Sequence, residues 1–312
     1  MRKQRFDPET WRPELPTWCE RTLGSRPSRV LFEGGWQSAV VGVRLEDGRD
    51  VVVKIRLAEA RVLACALVHR HAFASGFPCP EPLIPPTPIG RYVATAERYD
   101  PAGHELPSSA ERVWRFAGLL VRLVRTMSPV VDLPTLDPPP DWAAWNHRGP
   151  GLWPPAAEGH VDLNAHQDPA WLANVVSRVR SRLAASTLPP VVGHVDWESK
   201  HLLWTGGAIH TVHDWDSMCA LPEAGVAGLA ASMFPTTHEI PGASLDESQS
   251  FLHAYAAARG RKWTREEREV AWAATLWVMA YGAKSDALDD AVGPSTVLLV
   301  AEMDERLRRA GS

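Results

Sequence analysis

Residues 191–216, VVGHVDWESKHLLWTGGAIHTVHDWD, decide how this chain is read. Val191 and Val192 are a short apolar run, and a polar loop carrying His194 and Asp196 follows. Leu202, Leu203 and Trp204 form a second apolar run, Thr205-Gly206-Gly207 is turn chemistry, and an extended segment through Ile209 and Val212 ends at His213 and Asp214. The hairpin brings its ends together, so Asp196 and Asp214, eighteen positions apart, are expected to face one cleft. One carboxylate can there orient a hydroxyl while the other holds a metal ion. A His and two Asp in polar loops are also ordinary turn chemistry. The catalytic reading rests on three spaced elements agreeing with a lysine upstream.

That lysine is Lys54. Residues 29–56 read as β structure, with Val, Ile and Phe runs punctuated by Gly34-Gly35 and Asp47-Gly48, and three antiparallel strands are expected. Gly34 and Gly35 either fold a loop over nucleotide phosphates, using exposed backbone N–H groups, or make a plain hairpin turn. Lys54 lies inside VVVKIR, where alternation sets it beside Val52 and Arg56 and opposite Val51, Val53 and Ile55. A helix over about 58–75 follows, ended by Gly76-Phe77-Pro78, and then a strand over 91–97.

Beyond residue 100 the pattern is mostly helical. Ser108-x-x-Glu111 reads as a capping box opening an amphipathic helix to about Met127. A Pro- and Trp-rich stretch over about 129–168 has little periodicity and is too long for a simple connector; its tryptophans either line a pocket or pack. Asp168-Pro169, cap then first-turn Pro, starts a helix to about Ser186. Further helices are expected over 222–234, after the capping boxes Ser244-x-x-Glu247 and Thr264-x-x-Glu267 with Gly260 and Gly282 at their ends, and over 295–309. Asp286, Asp289 and Asp290 before the last helix read as a solvated acidic link or a rim for a cationic substrate.

At 312 residues and 45% hydrophobic content, the chain is long enough for two lobes, each with its own core. Its 33 basic and 37 acidic residues nearly balance, so charge makes no case for nucleic acid or an anionic membrane. Four cysteines without a C-x-x-C pair read as free thiols. MRKQRFDPETW lacks an apolar signal core, and the longest uncharged run, 14 residues over 270–283, is too short to cross a bilayer, so a cytoplasmic protein is expected.

His194, Val195, Asp196, then position 201, then Asp214-Trp215 resembles the signature of the aminoglycoside phosphotransferase and choline kinase group. In that family, His-Gly-Asp is followed after four residues by Asn and thirteen positions on by Asp, and the spacing here fits without a gap. Val195 replaces the Gly, and His201 stands at the metal-binding Asn. The resemblance implies an α+β, protein-kinase-like bilobal fold: a small antiparallel-sheet lobe over 1–98 that binds nucleotide, and a larger, mainly helical lobe over 99–312 that binds substrate. It implies ATP-dependent phosphoryl transfer to a hydroxyl of a small molecule, such as an aminoglycoside or another antibiotic, with ATP or GTP and Mg²⁺ or Mn²⁺ as cofactors. Asp196 would orient the hydroxyl with His194 in support, Asp214 and His201 would stand on the metal side, and Lys54 with the Gly34-Gly35 loop would grip phosphates. The segment from Glu97 to Asp100 would meet adenine. Cys65 occupies the place of the helix Glu that pairs with the family's lysine, which leaves the partner of Lys54 open. A weakly active kinase-like binding protein and a peptide Ser/Thr kinase of a natural-product pathway stand as alternatives. The expected assembly is a monomer or homodimer.

Overall fold

The computed structural model describes residues 8–35, 38–106, 110–130, 136–156, 161–237, 240–288 and 292–312. Ser108, Asp289 and Asp290 lie outside them. The chain divides into two compact units, Met1–Gly103 with Thr205–Asp216, and His104–Trp204 with Ser217–Ser312.

The first unit is built on a five-stranded antiparallel sheet in the order β1-β2-β3-β5-β4. Its strands are β1 (Pro27–Gly34), β2 (Ala39–Leu45), β3 (Asp50–Arg56), β4 (Pro82–Ile89) and β5 (Tyr92–Arg98). One face sets Val41, Val43, Val51, Val53 and Ile55 against Trp11, Leu15, Trp18 and Cys19 of two N-terminal helices, α1 (Pro8–Trp11) and α2 (Leu15–Leu23). Fully burying an aliphatic side chain of this size contributes about 1.5–3 kcal/mol. The apolar residues of α1 and α2 recur at helical spacing, but Pro13 and Pro16 interrupt the run and hide it in the sequence. Strand β4 is likewise unforeseen, because Pro82, Pro85, Pro86 and Pro88 read as breakers. Proline lacks the ladder N–H and is tolerated at a sheet edge, which is where β4 lies, pairing irregularly with β5 alone.

The opposite face of the sheet carries Lys54, as alternation requires. Val40 lies across from Lys54, and Lys54 across from Thr95, while Val52 faces Glu97. Helix α3 (Ala60–Ala74) follows β3. Its His69 ring stacks on Trp215 at 4.9 Å and bonds the Pro80 carbonyl at 2.8 Å, and burial pushes its pKa down to about 4.

The second unit holds α4 (Ala110–Met127), α5 (Ala170–Ala184), α6 (Glu223–Met233), α7 (Leu245–Arg259), α8 (Arg265–Leu288) and α9 (Pro294–Ala310). Strands β6 (Pro190–His194) and β9 (Met218–Pro222) pair antiparallel in it, with His194 across from Met218. Strands β7 (Leu202–Thr205) and β8 (Ala208–Val212) flank the Gly206-Gly207 turn, as the sequence leads one to expect. Both downstream capping boxes form: Ser244 and Glu247 exchange bonds at the start of α7, and Thr264 and Glu267 at the start of α8.

Two helix ends differ from expectation. Asp168 does not cap α5, whose N-cap is Pro169; its carboxylate instead accepts from Lys284 Nζ at 2.6 Å and Trp153 Nε1 at 2.8 Å. Gly282 does not stop α8, which runs on to Leu288. A Cβ at Gly282 would lie 3.1 Å from Ser295 of α9, so the glycine serves close helix packing instead of termination. Asp286 accepts from the Thr296 backbone N–H at 2.8 Å and so holds the first turn of α9. No helix among the described residues is long and apolar enough to cross a membrane.

Candidate functional site

In the first unit, Lys54 is 9% exposed and its ammonium stands 3.6 Å from the Glu97 carboxylate, itself 7% exposed. The partner left open in the sequence is therefore on the sheet. Residues 52 and 97 are register partners, so the two side chains share one face, and the pair spans adjacent strands instead of strand and helix. Cys65, at the helix position, donates its thiol to the Asp216 carbonyl at 3.6 Å. Glu97 thus holds Lys54 through its side chain, whatever its backbone does.

Arg56, on the same face, extends this charged patch. Its guanidinium donates to the Asp216 carboxylate and, at 2.8 Å, to Thr95 Oγ1. Burial pulls the Arg56 pKa below its ordinary range, with the charges of Cys65, Asp214 and Glu97 opposing the shift. Asp216 is accordingly an ion-pair partner of Arg56. Arg61 adds a bond of 2.8 Å to the Asp216 carbonyl, so the segment carrying Asp214 is fastened to β3 and α3. Asp214 has φ 62°, the one positive value at a non-glycine among the described residues. Such a conformation costs about 1–3 kcal/mol and persists where surrounding contacts impose it. Gly34 ends β1, and Gly35 has φ 103°, with a built Cβ only 2.0 Å from the Ser38 carbonyl oxygen, so this turn demands glycine. Trp36 and Gln37, which follow in the sequence, are outside the described residues.

In the second unit, His194 ends β6 fully buried, and its Nδ1 accepts the Asp196 backbone N–H at 3.2 Å. In the neutral ring the proton then sits on Nε2. This bond ties the His194 ring to the loop that carries Asp196. His201 Nε2 lies 3.1 Å from Asp196 Oδ2, which brings two of the expected site residues into direct contact. His201 ends a one-turn 3-10 element, Ser199–His201, in which its N–H donates to the Glu198 carbonyl at 3.1 Å, and Asp196 lies in the loop just before it. Glu198 is buried and salt-bridged to Lys200; burial first, then repulsion from Asp196, raises its pKa above the usual carboxylate range.

The loop is also anchored from outside. Val195 donates to the Ser217 carbonyl at 2.9 Å, and Trp197 reaches into the core to donate Nε1–H to the Phe116 carbonyl at 3.2 Å. Trp142, from the Pro- and Trp-rich stretch, donates Nε1–H to the Val195 carbonyl at 3.1 Å, and its own carbonyl accepts Trp277 Nε1–H at 2.9 Å. Arg180 of α5 clamps the same stretch through the carbonyls of Trp145, His147 and Gly151. The tryptophans there pack and also position the backbone beside Asp196. Glu198, Arg56 and Trp142 are absent from the sequence-derived set. Only Arg56 carried a signal, its place on the Lys54 face.

The model of the Phosphotransferase enzyme family (APH) matches residues 28–271, a span that contains Gly34, Gly35, Lys54, Glu97, His194, Asp196, His201 and Asp214. No curated protein is significantly similar in sequence. Among solved structures, an amicoumacin kinase, hAmiN, in complex with AMP-PNP, Ca²⁺ and Ami, is similar with a TM-score of 0.67 at 11% identity, covering 98% of this chain and 94% of that one. Spectinomycin phosphotransferase APH(9)-Ia, in complex with ADP and spectinomycin, gives a TM-score of 0.54 at 12% identity over 95% and 98% of the two chains. Macrolide 2′-phosphotransferase MphH from Brachybacterium faecium gives 0.53 at 16% identity over 97% of each. At these identities the structural likeness speaks for the fold, and with the family match it assigns the chain: it belongs to the APH phosphotransferase family, with that family's kinase-like α+β fold.

Proposed function

We propose that the protein is an ATP-dependent kinase that phosphorylates a hydroxyl of a small molecule, with antibiotics as the first substrate class to test. The observation that carries this reading is the Asp196 carboxylate, set in a loop fixed by His194, Ser217, Trp142 and Phe116 and occupying the family's acceptor-side position. Phosphoryl transfer depends on positioning and charge neutralisation, and rigidly held groups supply both. Asp196 accepts the hydrogen bond of the acceptor hydroxyl and takes its proton as the phosphoryl group moves. Lys54, steadied by Glu97, neutralises nucleotide phosphate charge. Residues 1–98 form the nucleotide-binding lobe, and residues 99–312 bind the acceptor.

A divalent cation would be held through Asp214, whose carboxylate suits Mg²⁺. When bound, the ion screens the charge of the nucleotide phosphates. His201 offers a softer nitrogen, and its Nε2 is engaged with Asp196. That contact favours a second reading, a nucleotide-binding protein with little turnover. The support for ATP and for antibiotics comes from relatives bound to AMP-PNP or ADP and named for amicoumacin and spectinomycin.

Measuring ADP release with ATP and a panel of hydroxylated antibiotics, alongside Asp196→Ala, tests the proposal. The expected result is acceptor-dependent ADP release that the substitution removes. Nucleotide binding without release for any acceptor would select the second reading.

A further inference from the structure

A cavity of about 600 Å³ opens between α7 and the first turns of α8, lined by none of the residues assigned above to phosphoryl transfer. Its walls include Leu252, Trp263 and Trp272, and the small residues Ala256, Ala257 and Ala271 leave the space between them. The size suits a small organic ligand.

Its charge is one-sided. Arg261, Lys262 and Arg268 line the cavity and no carboxylate does. Arg261 is neutralised by Glu267 at 2.7 Å, whereas Lys262 and Arg268 have no ion-pair partner among the described residues. Arg268 is nonetheless held, donating to the Trp263 carbonyl at 2.9 Å, and Trp263 donates Nε1–H to the Leu252 carbonyl at 2.9 Å. The apolar walls are thus tied to the cationic rim. An apolar body alone would leave two cations unanswered, and a compact inorganic anion would leave the Leu, Ala and Trp lining exposed to water.

We propose that this cavity binds an amphipathic organic acid, with its carboxylate between Lys262 and Arg268 and its apolar part against Leu252, Ala256 and Trp272. The probe is 1-anilinonaphthalene-8-sulfonate, whose emission rises in apolar surroundings, titrated into the full chain and then displaced with octanoate or with 1-octanol. Octanoate should displace it, and the neutral alcohol should be at least about tenfold weaker, the equivalent of about 1.4 kcal/mol. Lys262→Glu with Arg268→Glu reverses the rim charge and should weaken dye binding by about tenfold or more. Ala256→Trp should remove binding by filling the space. None of these substitutions falls on a residue assigned to nucleotide, so the thermal shift produced by ATP serves as the control for folding. Equal dye affinity in the charge-reversed protein, equal displacement by alcohol and acid, or displacement by ATP would each overturn the proposal.

Discussion

Two pairs, each joining a carboxylate to a nitrogen group, are built in opposite ways. Lys54 and Glu97 meet across neighbouring strands of a sheet, forty-three positions apart in sequence, at 3.6 Å. Asp196 and His201 meet within one loop, five positions apart, at 3.1 Å. The first pair is fixed by strand register, so it is as rigid as the sheet. The second depends on the loop's outside fastenings, Trp142 and Trp197 above all. A register-set pair resists substitution around it, whereas a loop-set pair transmits changes made at a distance, and this separates the variants that should matter through binding from those that should matter through chemistry.

The largest effect is expected at the loop pair. Asp196→Ala should lower turnover by about 10³-fold, the scale of a lost general base, while leaving the thermal shift produced by ATP intact. An unchanged rate would remove Asp196 from the mechanism. At the sheet pair, Lys54→Ala should weaken ATP binding by about 10- to 100-fold, because one charge-assisted contact to phosphate disappears. Glu97→Gln should follow in the same direction with a smaller loss, measured by titration calorimetry. If Glu97→Gln leaves ATP affinity untouched and Lys54→Ala does not, the strand pair is packing and only the lysine serves phosphate.

Trp142→Phe is the next smaller change. It keeps an aromatic ring in the stretch but deletes the bond to the Val195 carbonyl, a neutral hydrogen bond worth about 0.5–1.5 kcal/mol. The rate constant for transfer should fall by about 3- to 10-fold with the KM for ATP unchanged, since the indole acts through the loop that carries Asp196. A rise in that KM with turnover preserved would place Trp142 elsewhere in the cycle.

How far each pair was legible follows from the same contrast. Spacing along one loop is visible in sequence, so the contact of Asp196 with position 201 lay within reach of a sequence reading, whereas Asp214 follows the β7–β8 hairpin and entered only as an expectation. Alternation in VVVKIR likewise set Lys54 and Arg56 on one face. Glu97 could not be recognised as the partner of Lys54, because register between β3 and β5 is decided by packing of both strands and by the intervening proline-rich β4. Strand β9, five residues ending in Pro222, is too short to announce itself, yet it pairs with β6 and fixes where His194 points. Asp168 looked like a helix cap and is a buried ion-pair partner of Lys284, since a short carboxylate before a helix satisfies either role until the fold supplies the lysine.

The smallest effect is expected at His201, and it bears most directly on the contrast between the pairs. In the family pattern this position carries an Asn whose carbonyl oxygen suits Mg²⁺; here the imidazole holds Asp196. His201→Asn should therefore raise Mg²⁺-supported turnover or ATP affinity by a few-fold and lower the ratio of Mn²⁺ to Mg²⁺ activity, because nitrogen is the better ligand for the softer ion. Titrating each metal against both proteins reads the two quantities independently. Equal responses to both metals in both proteins would mean that the imidazole serves Asp196 alone, and the loop pair is then a positioning device like Lys54 and Glu97. Loss of activity in the Asn variant would mean that imidazole takes part in this enzyme's chemistry, and the two pairs would differ in function as well as in construction.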